Sequence, residues 1–192
     1  MTPTPSPRLT RRPALALIAA AFSAGLIPQA AVAAPAQQLV NESRAALNTL
    51  YSKSAKASEL GKRAKAVLVF PSITKAGLIV GGQGGQGVLF VDGKPTSFHK
   101  IGAGSVGYQI GVQKFSYALF FMSAHALESL HKSDGWAIGT GPSLVVVDEG
   151  FAKSMNTTTL KKEVYAMSFG QRGLMAGAGL EGSRITQFTP SS

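Results

Sequence analysis

Cysteine is absent from all 192 residues, which excludes disulfides, thiolate metal sites, a cysteine nucleophile and a lipid anchor through an N-terminal thiol. Carboxylates are scarce, 9 against 19 lysines and arginines, and Asp92, Asp134, Asp148 and Glu149 fall in turn-like contexts. Few remain for paired general acid and base work. Glu181 stands apart, inside "GAGLEGS", with Arg184 or Arg172 as its expected ion-pair partner. The nucleophile elbow G-x-S-x-G is missing too, since Ser105 in "AGSVG" is one residue out of phase. Of the 3 histidines, His125 and His131 are placed on opposite faces of one short helix, and His99 stands alone in "SFHK". Neither catalytic residues nor a metal or cofactor site is expected from this inventory. Aromatic residues do not interleave with the basic ones, so a nucleic-acid platform is not expected either.

What is present begins with Arg8, Arg11 and Arg12, an uncharged apolar run from Ala14 to Ile27, Pro28, and small residues through Ala31 and Ala33. This is the pattern of an export signal, and we read residues 1–33 as a signal peptide and 34–192 as a single domain. Removal of that segment takes away three arginines and no acid, lowering the formal charge from +10 to +7. The remaining chain is basic enough to meet phospholipid head groups or other acidic polymers of a cell envelope. Location in the periplasm, peripheral on an envelope membrane, is the corresponding expectation.

Three glycine clusters match G-x-G-x-x-G: "GGQGGQG", "GAGSVG" and "GAGLEG". A dinucleotide loop needs a strand before that motif and a helix after it. Here each is followed by extended patterning, including an alternation from Ser105 to Gln113 that reads as one strand. The glycines therefore serve sheet packing and curvature. Residues 66–70, "AVLVF", predict a buried strand stopped by Pro71, with "SITKAG" as a turn, and Asp92-Gly93 predicts a two-residue hairpin turn. "KFSYALFFMS" is apolar on both faces, as a central strand is. Ser123 precedes a short helix as its N-cap, Trp136 reads as a core aromatic with an interfacial ring at a ligand mouth as the alternative, and "GLMAGAGLEGSRITQF" reads as a closing hairpin. The whole predicts an α+β domain, with a curved, mostly antiparallel, glycine-rich sheet able to close into a barrel and two or three flanking helices.

From Ala36 to about Ser52 apolar residues form one helical stripe, and the next stretch, "KSAKASELGKRAK", is the densest basic run. An apolar stripe beside clustered lysines is what interfacial binding uses. The candidate binding residues are Leu47, Leu50 and Tyr51 for apolar contact and Lys53, Lys56, Lys62, Arg63 and Lys65 for phosphates. The same stripe could instead pack on the sheet, with the basic run a solvated helical face. The protein would then be a structural or interaction module of the envelope with no specific lipid.

Four blocks, "AKAVLVFPSITKAGLIVGGQGGQGVLF", "GAGSVGYQIGVQKFSYALFFMS", "SDGWAIG" and "GLMAGAGLEGSRI", resemble in order and spacing the SYLF domain, also called the Ysc84 actin-binding domain. The resemblance spans about Ala36 to Phe188. It implies a non-enzymatic, phospholipid-binding protein whose contact region is an N-terminal amphipathic, basic segment, here Leu39 to Lys65. Anionic phospholipid or a membrane surface is the implied partner. Actin binding is not expected of a chain with an export signal and no accompanying interaction domain.

Overall fold

The structure, a computed structural model, describes residues 36–77, 80–106, 111–132, 135–138, 142–147, 162–173 and 182–190. The proposed signal peptide, Glu181 and residues 177–181 of the G-x-G-x-x-G match beginning at Gly177 lie outside these. The described residues form three helices and eight strands: α1 (Ala36–Lys53), α2 (Ala55–Arg63), β1 (Ala66–Gly77), β2 (Val80–Val91), β3 (Lys94–Val106), β4 (Gly111–Phe121), α3 (Ala124–Leu130), β5 (Trp136–Ala137), β6 (Leu144–Val147), β7 (Val164–Gly173) and β8 (Arg184–Phe188). The strands form one sheet in the order β5-β8-β3-β2-β1-β4-β7-β6. All pairs are antiparallel except β6 with β7. The sheet is curved and, among the described residues, open, with β5 and β6 as its edges.

Both faces of the sheet carry a core, because side chains alternate along each strand. Leu68 and Phe70 of β1, Leu89 of β2, Leu119 and Phe121 of β4 and Ile185 of β8 share one face with α3 and Trp136. Val67, Val69, Val88, Phe90, Ala118 and Phe120 share the other, beneath α1 and α2. β4 lies between β1 and β7, and residues 118–121 are all fully buried. That is the two-sided central strand expected from "KFSYALFFMS".

Two expectations are corrected by the sheet. Pro71 does not stop β1: the strand continues to Gly77 through a bulge between Val69 and Ser72, where β1 carries one residue more than β2. A bulge tolerates proline because no ladder hydrogen bond is demanded of it, and the Ser116 hydroxyl donates to the Pro71 carbonyl at 2.8 Å. The shift restores Ile73 to the face of Phe70, so the apolar pattern resumes. Ser105 and Gln113 do not share one strand: Ser105 belongs to β3 and Gln113 to β4, with β2 and β1 lying between them, and residues 107–110 lie outside the described residues. The closing hairpin expected over residues 173–188 falls largely on 174–181, outside the described residues; its last strand, β8, pairs with β3 and β5.

The turn chemistry is as expected. Asp92 at φ 50° and Gly93 at φ 73° join β2 to β3, the two positive values that a tight hairpin turn of this kind requires. Ser123 caps α3, accepting from the Ala126 N–H at 3.1 Å. Gly85 and Gly87 are dictated by the bulge: a Cβ at Gly85 would sit 2.6 Å from the Ser72 carbonyl, and one at Gly87 would meet the Val69 carbonyl and the Phe70 ring.

Candidate functional site

α1 is amphipathic because Leu39, Val40, Ser43 and Leu50 recur on one side, and that side is buried on β1 and β2. Ser54 ends the gap between the helices and caps α2, its hydroxyl accepting from the Ala57 N–H at 3.1 Å. Lys62 and Arg63 occupy the last turn of α2, where cations complement the helix dipole. Ala64 is extended, and the Lys65 N–H donates to the Phe121 carbonyl at 2.8 Å, which starts β1. The basic run is thus folded back beside α1 and next to the hairpin turn at Asp92-Gly93.

A cleft of about 390 Å³ opens there. Leu47, Tyr51, Val67 and Phe90 supply apolar lining, and Arg44, Lys62 and Lys65 bring three cations against the single carboxylate of Asp92. Arg44 is held by the fold: its guanidinium lies 5.4 Å from the centre of the Phe90 ring and donates to the Gly93 carbonyl at 3.4 Å. Tyr51 rests against Gly61, where an added Cβ would come within 2.6 Å of the phenol ring carbon Cζ. The missing side chain at Gly61 therefore seats Tyr51 in the cleft. Burial pushes the Tyr51 phenol above its ordinary pKa, so at neutral pH it offers a hydroxyl and no charge.

The eight sequence-derived residues separate into three groups. Leu47, Tyr51, Lys62 and Lys65 line the cleft. Leu50 is only 4% exposed and belongs to the core, so as docked it offers no apolar surface to a ligand. Lys53, Lys56 and Arg63 stand outside the cleft: Lys53 is exposed at the end of α1, while Lys56 and Arg63 reach the Glu59 carboxylate at 2.9 and 3.7 Å. The hydrogen bond from Lys56, with the charges of Lys56 and Arg63, holds that carboxyl below the usual range. Arg44 was not among the expected residues. Its signal was a cation one turn before Leu47 and Asn48 on α1, legible only once the hairpin 49 residues away is placed beside it.

The histidines are arranged differently from the sequence reading. His99 is not alone: α3 carries His131 to 6.2 Å between ring centres. His99 is fully buried with Nε2 hydrogen-bonded to Ser97 Oγ at 2.9 Å, and burial, reinforced by His131, lowers its pKa to about 4. His125 instead meets Glu163 at 2.9 Å, which lowers that carboxyl's pKa through the hydrogen bond from the ring and those from Ser123 and the Ser143 N–H. Among the described residues no three histidine or carboxylate side chains gather as a metal site would need. Chemically, the cleft can attract an anion and shield an apolar group attached to it.

Residues 102–190 match the family model described as Ysc84, Las17-binding protein actin regulator. The cleft, built from residues 44–93, precedes the matched segment. No curated protein matches the chain.

Proposed function

We propose, from the match of residues 102–190 to the Ysc84 family model, that this chain is a non-enzymatic phospholipid-binding protein of the cell envelope. The observation that carries the reading is the convergence of Arg44, Lys62 and Lys65 over the apolar lining of Leu47, Tyr51, Val67 and Phe90. A lipid phosphate would sit among the cations and the adjoining glycerol and first methylenes against the apolar lining. Each cation near an anionic surface contributes roughly 1 kcal/mol, so three give a weak, salt-sensitive, reversible association. The export pattern of residues 8–33 and the basic balance of the chain support an envelope location.

Flotation with phosphatidylcholine vesicles and with vesicles containing phosphatidylglycerol, over a range of salt, tests the reading. Binding to the anionic vesicles that weakens with salt is expected; equal failure to bind either would end it. A second reading, an interaction module with no specific lipid, is favoured by the burial of Leu39, Val40 and Leu50, which leaves the α1 stripe docked. Hydrogen exchange separates the two. α1 protection that is unchanged by anionic vesicles, together with absence of binding, selects the second.

A further inference from the structure

α1 and α2 pack on the part of their face that precedes the bulge. Beyond the bulge no described helix covers that face, and its side chains follow from the pairing register. Thr74 of β1 pairs with Lys114 and Gly84, Gly84 with Gly102, Gly102 with Arg184, and Lys114 with Arg172. One row therefore crosses six strands, with cations towards both ends and glycine in the middle. The neighbouring row repeats the floor, with Ala76 paired to Gly82 and Gly82 to Gly104. Lys100 stands one row the other way, between Gln86 and Thr186.

The four floor glycines differ from those at the bulge. Gly82, Gly84, Gly102 and Gly104 are exposed, and none has a positive φ. A Cβ added to them would come no nearer than 3.5 Å to any atom. Neither packing nor backbone conformation within the described fold calls for glycine there, although glycine weakens a strand. Lys100, Lys114 and Arg172 are exposed, and no carboxylate among the described residues lies within ion-pair range of them.

We propose that this open half of the sheet is the docking site for a helix of a partner protein, with small side chains against the glycines and carboxylates along both flanks. Three strand spacings separate Lys100 from Lys114, about 14 Å, which brackets a helix of roughly 10 to 12 Å diameter. Such a helix would lie beside α1 and complete the layer that α1 and α2 begin. A flat bilayer resting on those helices would stand one helix diameter above the glycine floor. Two copies of this chain set face to face would oppose like charges. An acidic helix meets neither obstacle.

The probe is a synthetic helix of about 18 residues, roughly 27 Å long, with an alanine and glycine stripe flanked by glutamates, alongside its glutamine counterpart. Binding of the glutamate helix to the protein, with amide NMR shifts centred on the four floor glycines, is the expected result. Lys114→Glu with Arg172→Glu should weaken it by about tenfold or more. Gly84→Val raises the floor without touching charge, at a site with room for it, and should abolish binding while the protein stays folded. The proposal is overturned if neither helix binds, if the glutamine helix binds equally well, or if Gly84→Val binds like the unmodified protein. It is also overturned if only phosphatidylcholine/phosphatidylglycerol vesicles move these glycine signals, which would make the face a membrane surface.

Discussion

Acidification should destabilise this protein through His99. The imidazole is fully buried on β3, with Ser97 on Nε2, Nδ1 without a partner, and His131 as the nearby titratable group. Its pKa is about 4 in the fold against an ordinary 6.5, so between these values the unfolded chain binds a proton that the native state refuses. Stability is therefore intact above pH 6.5 and is lost as pH falls towards 4. At about 1.4 kcal/mol per unit, the loss approaches roughly 3 to 4 kcal/mol in full and about 2 to 3 kcal/mol at pH 4.5. Urea unfolding of the protein and of His99→Gln at pH 7 and pH 4.5 isolates the effect, because acid-sensitive carboxylates such as Glu59 and Glu163 are common to both. The variant should lose about 2 kcal/mol less than the unmodified protein over this interval. His131→Ala should retain most of the pH dependence, since burial is the larger cause and His131 the smaller. Equal losses in the protein and His99→Gln would refute the reasoning.

Leu50→Ala should cost about 2 to 5 kcal/mol in denaturant unfolding, as for other buried leucines, whereas Lys53→Ala, three residues on and exposed, should stay within about 0.5 kcal/mol. Gly87→Ala should lower Tm because its Cβ meets the Val69 carbonyl and the Phe70 ring, while Gly104→Ala, with nothing within 4 Å of its Cβ, should not. Arg44→Ala should loosen the Asp92-Gly93 turn, seen as faster amide exchange at residues 92–94, because it removes both the Phe90 stacking and the bond to the Gly93 carbonyl.

The parts of this fold legible in the sequence are those written in local chemistry. The stripe from Leu39 to Leu50, the Asp92-Gly93 turn, the Ser123 cap and the doubly apolar β4 each depend on neighbours within a few residues. What was not legible depends on distant partners. Pro71 looks like a strand end because its compensation, the bulge and the Ser116 hydroxyl, comes from β2 and β4. Residues 102–106 of "GAGSVG" lie along the end of β3, where Gly102 and Gly104 pair with Gly84 and Gly82, and the next described element is the strand β4. Half of the candidate site was visible as a basic amphipathic segment. Its division into cleft-lining Lys62 and Lys65, Glu59-bound Lys56 and Arg63, and core Leu50 was decided by how α1 and α2 fold on the sheet. Arg44 joins the site only through a hairpin that local patterning cannot place beside it.

The most direct test of the cleft as a phospholipid site is flotation on phosphatidylglycerol-containing vesicles of a Lys62→Glu, Lys65→Glu protein beside a Lys53→Glu protein. Reversing two cleft cations should weaken binding by about tenfold or more at roughly 1 kcal/mol per charge, while Lys53→Glu, outside the cleft, should change it far less. Equal weakening by the two proteins would contradict the site, and undiminished binding by the cleft variant would contradict it outright.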